Sequence, residues 1–346
     1  MPYLSTIFRL AFGRTLFYLA SFGLSIILCL GACRLPPPIP DQGPLFEQVW
    51  QDFAATYPYF EHKSVDWEEV YARYQPQFAE PMLADSAFAR LSQMMAELRD
   101  IHIQFSRSGQ AFQFEKRSLY PANSSKLARS YLEPIHYDNN RILYADIAGT
   151  RIAYLQIQSF AGSVNNYTNF PTETIVSSLM NKTGLIIDLR DNPGGKEDFA
   201  LDFASRLIAE PTAYKKTRSR LGANSSQFSP WQTQWIVPVE PISVDYPIIL
   251  LTNRGCYSAT ESFVLMMRAL PNVWVLGDTT GGATGHPIAE HLPNGWRYTI
   301  PTVQVAQLDG HLIEDIGLVP DSVVWMDEAS IREGKDVILE AAIATF

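Results

Sequence analysis

The chain has 346 residues, 47% of them hydrophobic and 18% charged. That is ample apolar material for one large domain with a smaller companion, and it excludes a disordered chain. A net charge of −9, with no basic run longer than Lys215–Lys216, gives nucleic acid no electrostatic footprint, so it is not expected as a partner.

At the amino terminus, Arg9 and Arg14 precede a nearly uncharged run from Thr15 to Leu30, the pattern of an export signal over residues 1–32. An uncleaved anchor is the alternative, although about 16 apolar residues are short for a span. Leu30-Gly31-Ala32-Cys33 resembles the bacterial lipobox, which implies a lipidated Cys33, export to the cell envelope and attachment to a membrane through the lipid. Residues 33–43, rich in proline, read as a stiff linker. Loss of Cys29 with the signal and acylation of Cys33 would leave Cys256 alone, so no intrachain disulfide is expected. Its apolar neighbourhood makes Cys256 a core residue rather than a nucleophile. No cysteine and histidine cluster has ligand spacing, so neither metal nor cofactor is expected.

Residues 44–105 read as a small helical cap domain. Phe46, Val49, Trp50, Phe53 and Tyr57 share one helix face. Asp66 with Glu69 marks the start of a second helix that ends near Pro76. Phe88, Leu91, Met95 and Leu98 mark a third, whose end delivers Arg99-Asp100-Ile101-His102.

Residues 106–346 form the core. Here Ile152–Ile157, Gly184–Leu189, Ile248–Thr252 and Val273–Gly277 read as strands separated by helical patterns. Such βαβ succession predicts an α/β fold with largely parallel pairing and ligands at the carboxyl ends of the strands. Residues 211–245, with Trp231 and Trp235, fit either a flap over a site or a packed hairpin.

Two motifs lie at strand ends. In Asp188-Leu189-Arg190-Asp191-Asn192-Pro193-Gly194-Gly195, two glycines before a helix let backbone amides approach an anion, although an ordinary strand-to-helix turn is the simpler explanation of the glycine pair alone. In Cys256-Tyr257-Ser258-Ala259-Thr260-Glu261, Ser258 and Glu261 have capping-box spacing, yet a nucleophile suits the same helix start, where the dipole favours negative charge.

With these motifs, Gly277-Asp278-Thr279-Thr280-Gly281-Gly282, Asp309-Gly310, Glu314, Gly317 and Pro320-Asp321 follow in order. The set resembles the carboxyl-terminal processing (tail-specific) serine peptidase superfamily. The cap ending in His102 is similar to its tricorn-core branch. The resemblance implies a ClpP/crotonase-like core that hydrolyses peptide bonds, with Ser258 as nucleophile, His102 as general base and Glu314 orienting the histidine. Amides of Gly194 or Gly195 and of Ala259 would form the oxyanion hole. A serine needs a base, and the base an acceptor that fixes its tautomer. Two departures stand out. Many relatives pair the serine with a lysine about two dozen residues later, but residues 217–334 contain none, so a local lysine base is not expected. Some tricorn-like members have a serine where Ile101 stands. The interval from His102 to Ile152 is also too short for a complete PDZ domain beside the core strands. His286 is the competing base, and a non-catalytic binder of peptides or apolar ligands is the competing function.

Overall fold

The computed structural model describes residues 40–114, 123–138, 141–162, 173–222, 227–242 and 244–346; the export signal, Cys33 and nearly all of the linker lie outside them. The cap begins with α1 (Gly43–Thr56), where Pro44 in the first turn costs no hydrogen bond. It continues through α2 (Trp67–Tyr74) and α3 (Ala84–Ala96). Asp66 caps α2 as its position predicts, Oδ1 accepting the Glu68 and Glu69 amides at 3.0 and 3.1 Å. Val49, Phe53, Leu91, Met95 and Leu98, on the predicted faces, are fully buried.

The hairpin β1 (Gln104–Arg107) and β2 (Gln110–Gln113) follows. Next come β3 (His136–Asp138), β4 (Ile142–Asp146), β5 (Ile152–Ile157), α4 (Glu173–Ser178), β6 (Gly184–Asp188) and α5 (Glu197–Ser205). β7 (Thr212–Ser219) and β8 (Gln232–Ile236) precede β9 (Ile248–Thr252), α6 (Ala259–Arg268) and β10 (Val273–Gly277). The chain closes with β11 (Ile288–His291), β12 (Arg297–Ile300), β13 (Val303–Ala306), β14 (Ser322–Val323), α7 (Glu328–Arg332) and α8 (Val337–Ile343).

Seven strands form the main sheet in the order β14-β10-β9-β6-β5-β4-β3. All pairs from β14 to β5 are parallel, and β4 and β3 add an antiparallel edge. Both faces are covered, which is why the central strands read as unbroken apolar runs. Along β9, Ile248 and Leu250 join the core beneath α4, α5 and α6, while Ile249 and Leu251 join a second core with Ile338, Leu339 and Ala342 of α8. The mixed α/β architecture with an amino-terminal helical cap is therefore as expected.

Two smaller sheets were not legible. β11-β12-β1-β2 ties the cap to the core, and Leu292, Trp296, Tyr298 and Ile300 complete the cap's own interior. β13-β7-β8 includes the two described strands of the 211–245 segment, β7 and β8, paired antiparallel.

Arg190 anchors the carboxyl end of β6. Its guanidinium, 1% exposed, reaches Asp188 at 2.6 Å and Asp336 at 2.8 Å, and Tyr154 donates to Asp188 at 2.6 Å. Replacing Arg190 by methionine would strand two buried carboxylates. A loss of about 3–5 kcal/mol in unfolding free energy is expected by denaturant titration.

Candidate active site

The loop from β9 to α6 presents Ser258 as the residue before the helix, with φ +57° and ψ −121°. For a residue with a Cβ this backbone is strained, so its surroundings must hold it. Ser258 N–H donates to the Ala283 carbonyl at 2.9 Å and to Glu261 Oε2 at 3.3 Å, and its own carbonyl accepts the Glu261 amide at 2.9 Å. Glu261, fully buried, also takes the Thr280 hydroxyl at 2.6 Å and the Gly282 and Ala283 amides at 2.8 and 3.0 Å. Burial lifts its pKa to about 7 against the pull of those bonds. Glu261 thus does more than cap: one carboxylate fastens the serine turn to the 280–283 loop.

The glycine motif lies against this turn. A Cβ on Gly194 (φ +91°) would meet the Tyr257 carbonyl at 2.6 Å and the Ser258 Cβ at 2.8 Å, so only glycine fits there. Gly194 N–H donates to Asn192 Oδ1 at 2.9 Å. Among the described residues the Gly195 amide has no such acceptor, and the Ala259 amide starts α6, where no intrahelical acceptor exists. Ser258, Gly195 and Ala259 all line one cavity of about 720 Å³. Its other walls come from α5, the β7–β8 hairpin and the 284–288 loop, with Leu201, Tyr214 and Val305 as apolar surface.

His286 lines this cavity too, about half exposed, its Nε2 2.7 Å from Glu197 Oε2. His102 does not. It sits at the base of the cap, its ring 12% exposed, with Nδ1 buried, unpartnered and 3.7 Å from Asp100 Oδ1. The Thr299 hydroxyl donates to its carbonyl at 2.5 Å, and its own amide donates to Asp100 Oδ1 at 2.9 Å. Burial lowers its pKa; the Glu314 charge opposes this, and His286 and Lys63 reinforce it. Among the described residues no hydrogen bond joins His102 to Ser258 or to Glu314. Glu314, 1% exposed, accepts the Thr284 amide at 2.8 Å and the Lys63 ammonium at 2.9 Å. Burial, then the Asp100 charge, lift it to about 7 against Lys63.

Sequence reasoning missed Lys215. A lysine does enter the cavity, from upstream of the interval searched: Lys215 Nζ, 1% exposed, lies 2.5 Å from Glu197 and 3.0 Å from Ser262 Oγ. A register shift between Ala213 and Lys215 breaks the alternation of β7 and buries Tyr214 and Lys215 together. That bulge left no mark in the sequence. Burial lowers the Lys215 pKa, although Glu197 opposes it.

The family model described as peptidase family S41 matches residues 151–324, just over half of the chain and the whole stretch from β5 to β14. The chain belongs to peptidase family S41. The model described as the tricorn protease C1 domain matches residues 44–96 of the cap. A carboxyl-terminal-processing protease of Synechocystis is 25% identical to this S41 member over 198 residues, 56% of this chain and 44% of the relative. The carboxy-terminal processing protease CtpA of Bacillus subtilis is 24% identical over 51% of this chain and 36% of its own. The chain thus spans less than half the length of these curated relatives. A solved candidate peptidase from Parabacteroides merdae is 32% identical, with a TM-score of 0.76 over 87% of this chain and 95% of that one.

Proposed function

We propose that this S41 member is a serine peptidase working through an acyl-enzyme. One observation carries the reading: a strained serine at a helix amino terminus shares a cavity with two backbone amides that have no acceptor among the described residues. In the proposed reaction His102 takes the Ser258 hydroxyl proton as Oγ attacks the substrate carbonyl. The Gly195 and Ala259 amides receive the oxyanion, and the imidazolium returns the proton to the leaving amine. Water then repeats the sequence on the acyl-enzyme. Glu314 and Asp100 stabilise the imidazolium, and Gly194 contributes the close approach rather than a donor. Membership of peptidase family S41 and similarity to two carboxyl-terminal processing proteases support the reading. A purified chain is expected to cleave a fluorogenic peptide library, and to lose that activity to an organophosphonate but not to a chelator. Absence of any cleavage by folded protein would overturn it.

We further propose that the substrates are exported peptides or proteins and that Cys33 carries the lipid. Among the described residues no helix is long and apolar enough to cross a membrane. Fatty-acid incorporation in cells is expected to vanish in Cys33→Ser; unchanged incorporation would refute the anchor.

A further inference from the structure

Lys63 belongs to the turn after α1, yet its side chain is fully buried, with Nζ 2.9 Å from Glu314 Oε1 and 2.7 Å from Asp315 Oδ2. A lysine in such a place is costly unless its charge is used. Its carbonyl accepts from Arg99 Nη2 at 2.6 Å, which ties it to the turn that delivers His102. The neighbouring His62 Nε2 meets the Glu314 carbonyl at 2.8 Å. Tyr57 donates to Asp100 Oδ2 at 2.9 Å, and Tyr59 bonds Thr284 Oγ1 at 2.9 Å. One cap segment therefore holds both the histidine turn and the glutamate loop.

We propose that Lys63 is a positioning residue for catalysis, its ammonium keeping the buried carboxylates Glu314 and Asp100 ionised and in place around the His102 imidazole. The inference rests on the peptidase reading above. The groups acting on His102 are Asp100 from its own turn, Lys63 from the turn after α1, Glu314 from the loop after β13 and His286 from the loop before β11. The phenols of Tyr57 and Tyr59, held neutral first by burial and then by these carboxylates, complete the shell around Glu314 and Asp100. Against the one ammonium stand the two buried carboxylates and the partly exposed Asp315, so the cluster stays net negative. That balance suits an imidazole that is neutral at rest and becomes a cation when it takes the serine proton. Without Lys63 the two carboxylates repel. That loosens the grip on both, and the Thr284 amide or the His102 turn loses a firmly placed acceptor.

The sign follows from the charge. Lys63 lowers the His102 pKa, so its removal raises it, and the base stays protonated to higher pH. In Lys63→Met the acid limb of the kcat/KM profile is expected to move up by on the order of one pH unit. kcat should fall about 10–100-fold with KM little changed. Lys63→Arg should recover part of kcat and return the limb toward its original position. An NMR titration of labelled His102 in the Ser258→Ala background should show the same upward shift without any turnover. Should Lys63→Met not fold, Lys63→Met/Asp100→Asn restores the charge balance; it is expected to fold with His102 titrating near its original pKa. A limb and a His102 titration unmoved in Lys63→Met, or a double variant no better folded than the single, would overturn the proposal. Full turnover in Ser258→Ala would instead overturn the peptidase reading, whatever Lys63 does.

Discussion

Ser258→Ala is expected to lower peptide turnover by a factor on the order of 10⁴–10⁶ while leaving the unfolding transition in place. The loss is large because the hydroxyl is the attacking atom, and only the oxyanion amides and substrate binding remain. The fold should survive because the contacts that hold the turn run through the backbone of residue 258, its N–H to Ala283 and Glu261 and its carbonyl to the Glu261 amide. Alanine keeps all of them at the same φ. Cys256→Ala is the control. The Cys256 thiol is fully buried, donates to the Leu189 carbonyl at 3.0 Å, and is pushed well above its ordinary pKa chiefly by burial. A thiol held protonated is a poor nucleophile, so most activity should remain. Steady-state kinetics with circular dichroism on both variants is the check.

His102→Ala is expected to cost on the order of a thousandfold in kcat, with Glu314→Gln costing somewhat less and His286→Ala changing KM at most. Lining the serine's cavity favours His286. Its partners favour His102: His286 Nε2 is committed to Glu197 at 2.7 Å, and Lys215 stands 3.4 Å from the same atom. His102 has a buried Nδ1 without a hydrogen-bond partner among the described residues, beside the buried Asp100 carboxylate and in the field of Glu314. A nitrogen left without a bond in the interior costs about 1–3 kcal/mol, and such an expense is characteristic of functional positions. Catalytic hydrogen bonds that are absent without substrate form in the Michaelis complex. Turnover that survives in His102→Ala and collapses in His286→Ala would move the base to the other histidine.

What was legible in the sequence follows from burial. Ile152–Ile157, Ile248–Thr252 and Val273–Gly277 were read with the boundaries they have, because largely buried strands are predominantly apolar runs closed by turns. Ser258 was visible through its place between such a strand and an amphipathic helix. β11 and β12 were not. Each is four residues long with polar and apolar side chains mixed, and β12 finds its partner β1 nearly two hundred residues away. Lys215 and Lys63 were invisible for related reasons. The first is turned inward by a bulge, and the second finds Glu314 only because the cap folds back on the core. Single-residue chemistry suggests a solvated surface for either lysine; tertiary pairing overrides it.

Covalent labelling with a fluorinated organophosphonate, followed by mass spectrometry of the digested chain, tests the central assignment most directly. One adduct per chain is expected, on the peptide that carries Ser258. It should be absent in Ser258→Ala, slowed in His102→Ala and unchanged in Cys256→Ala. Undiminished labelling of the Ser258→Ala protein, or no labelling of the folded wild-type chain, would contradict an activated serine at this position.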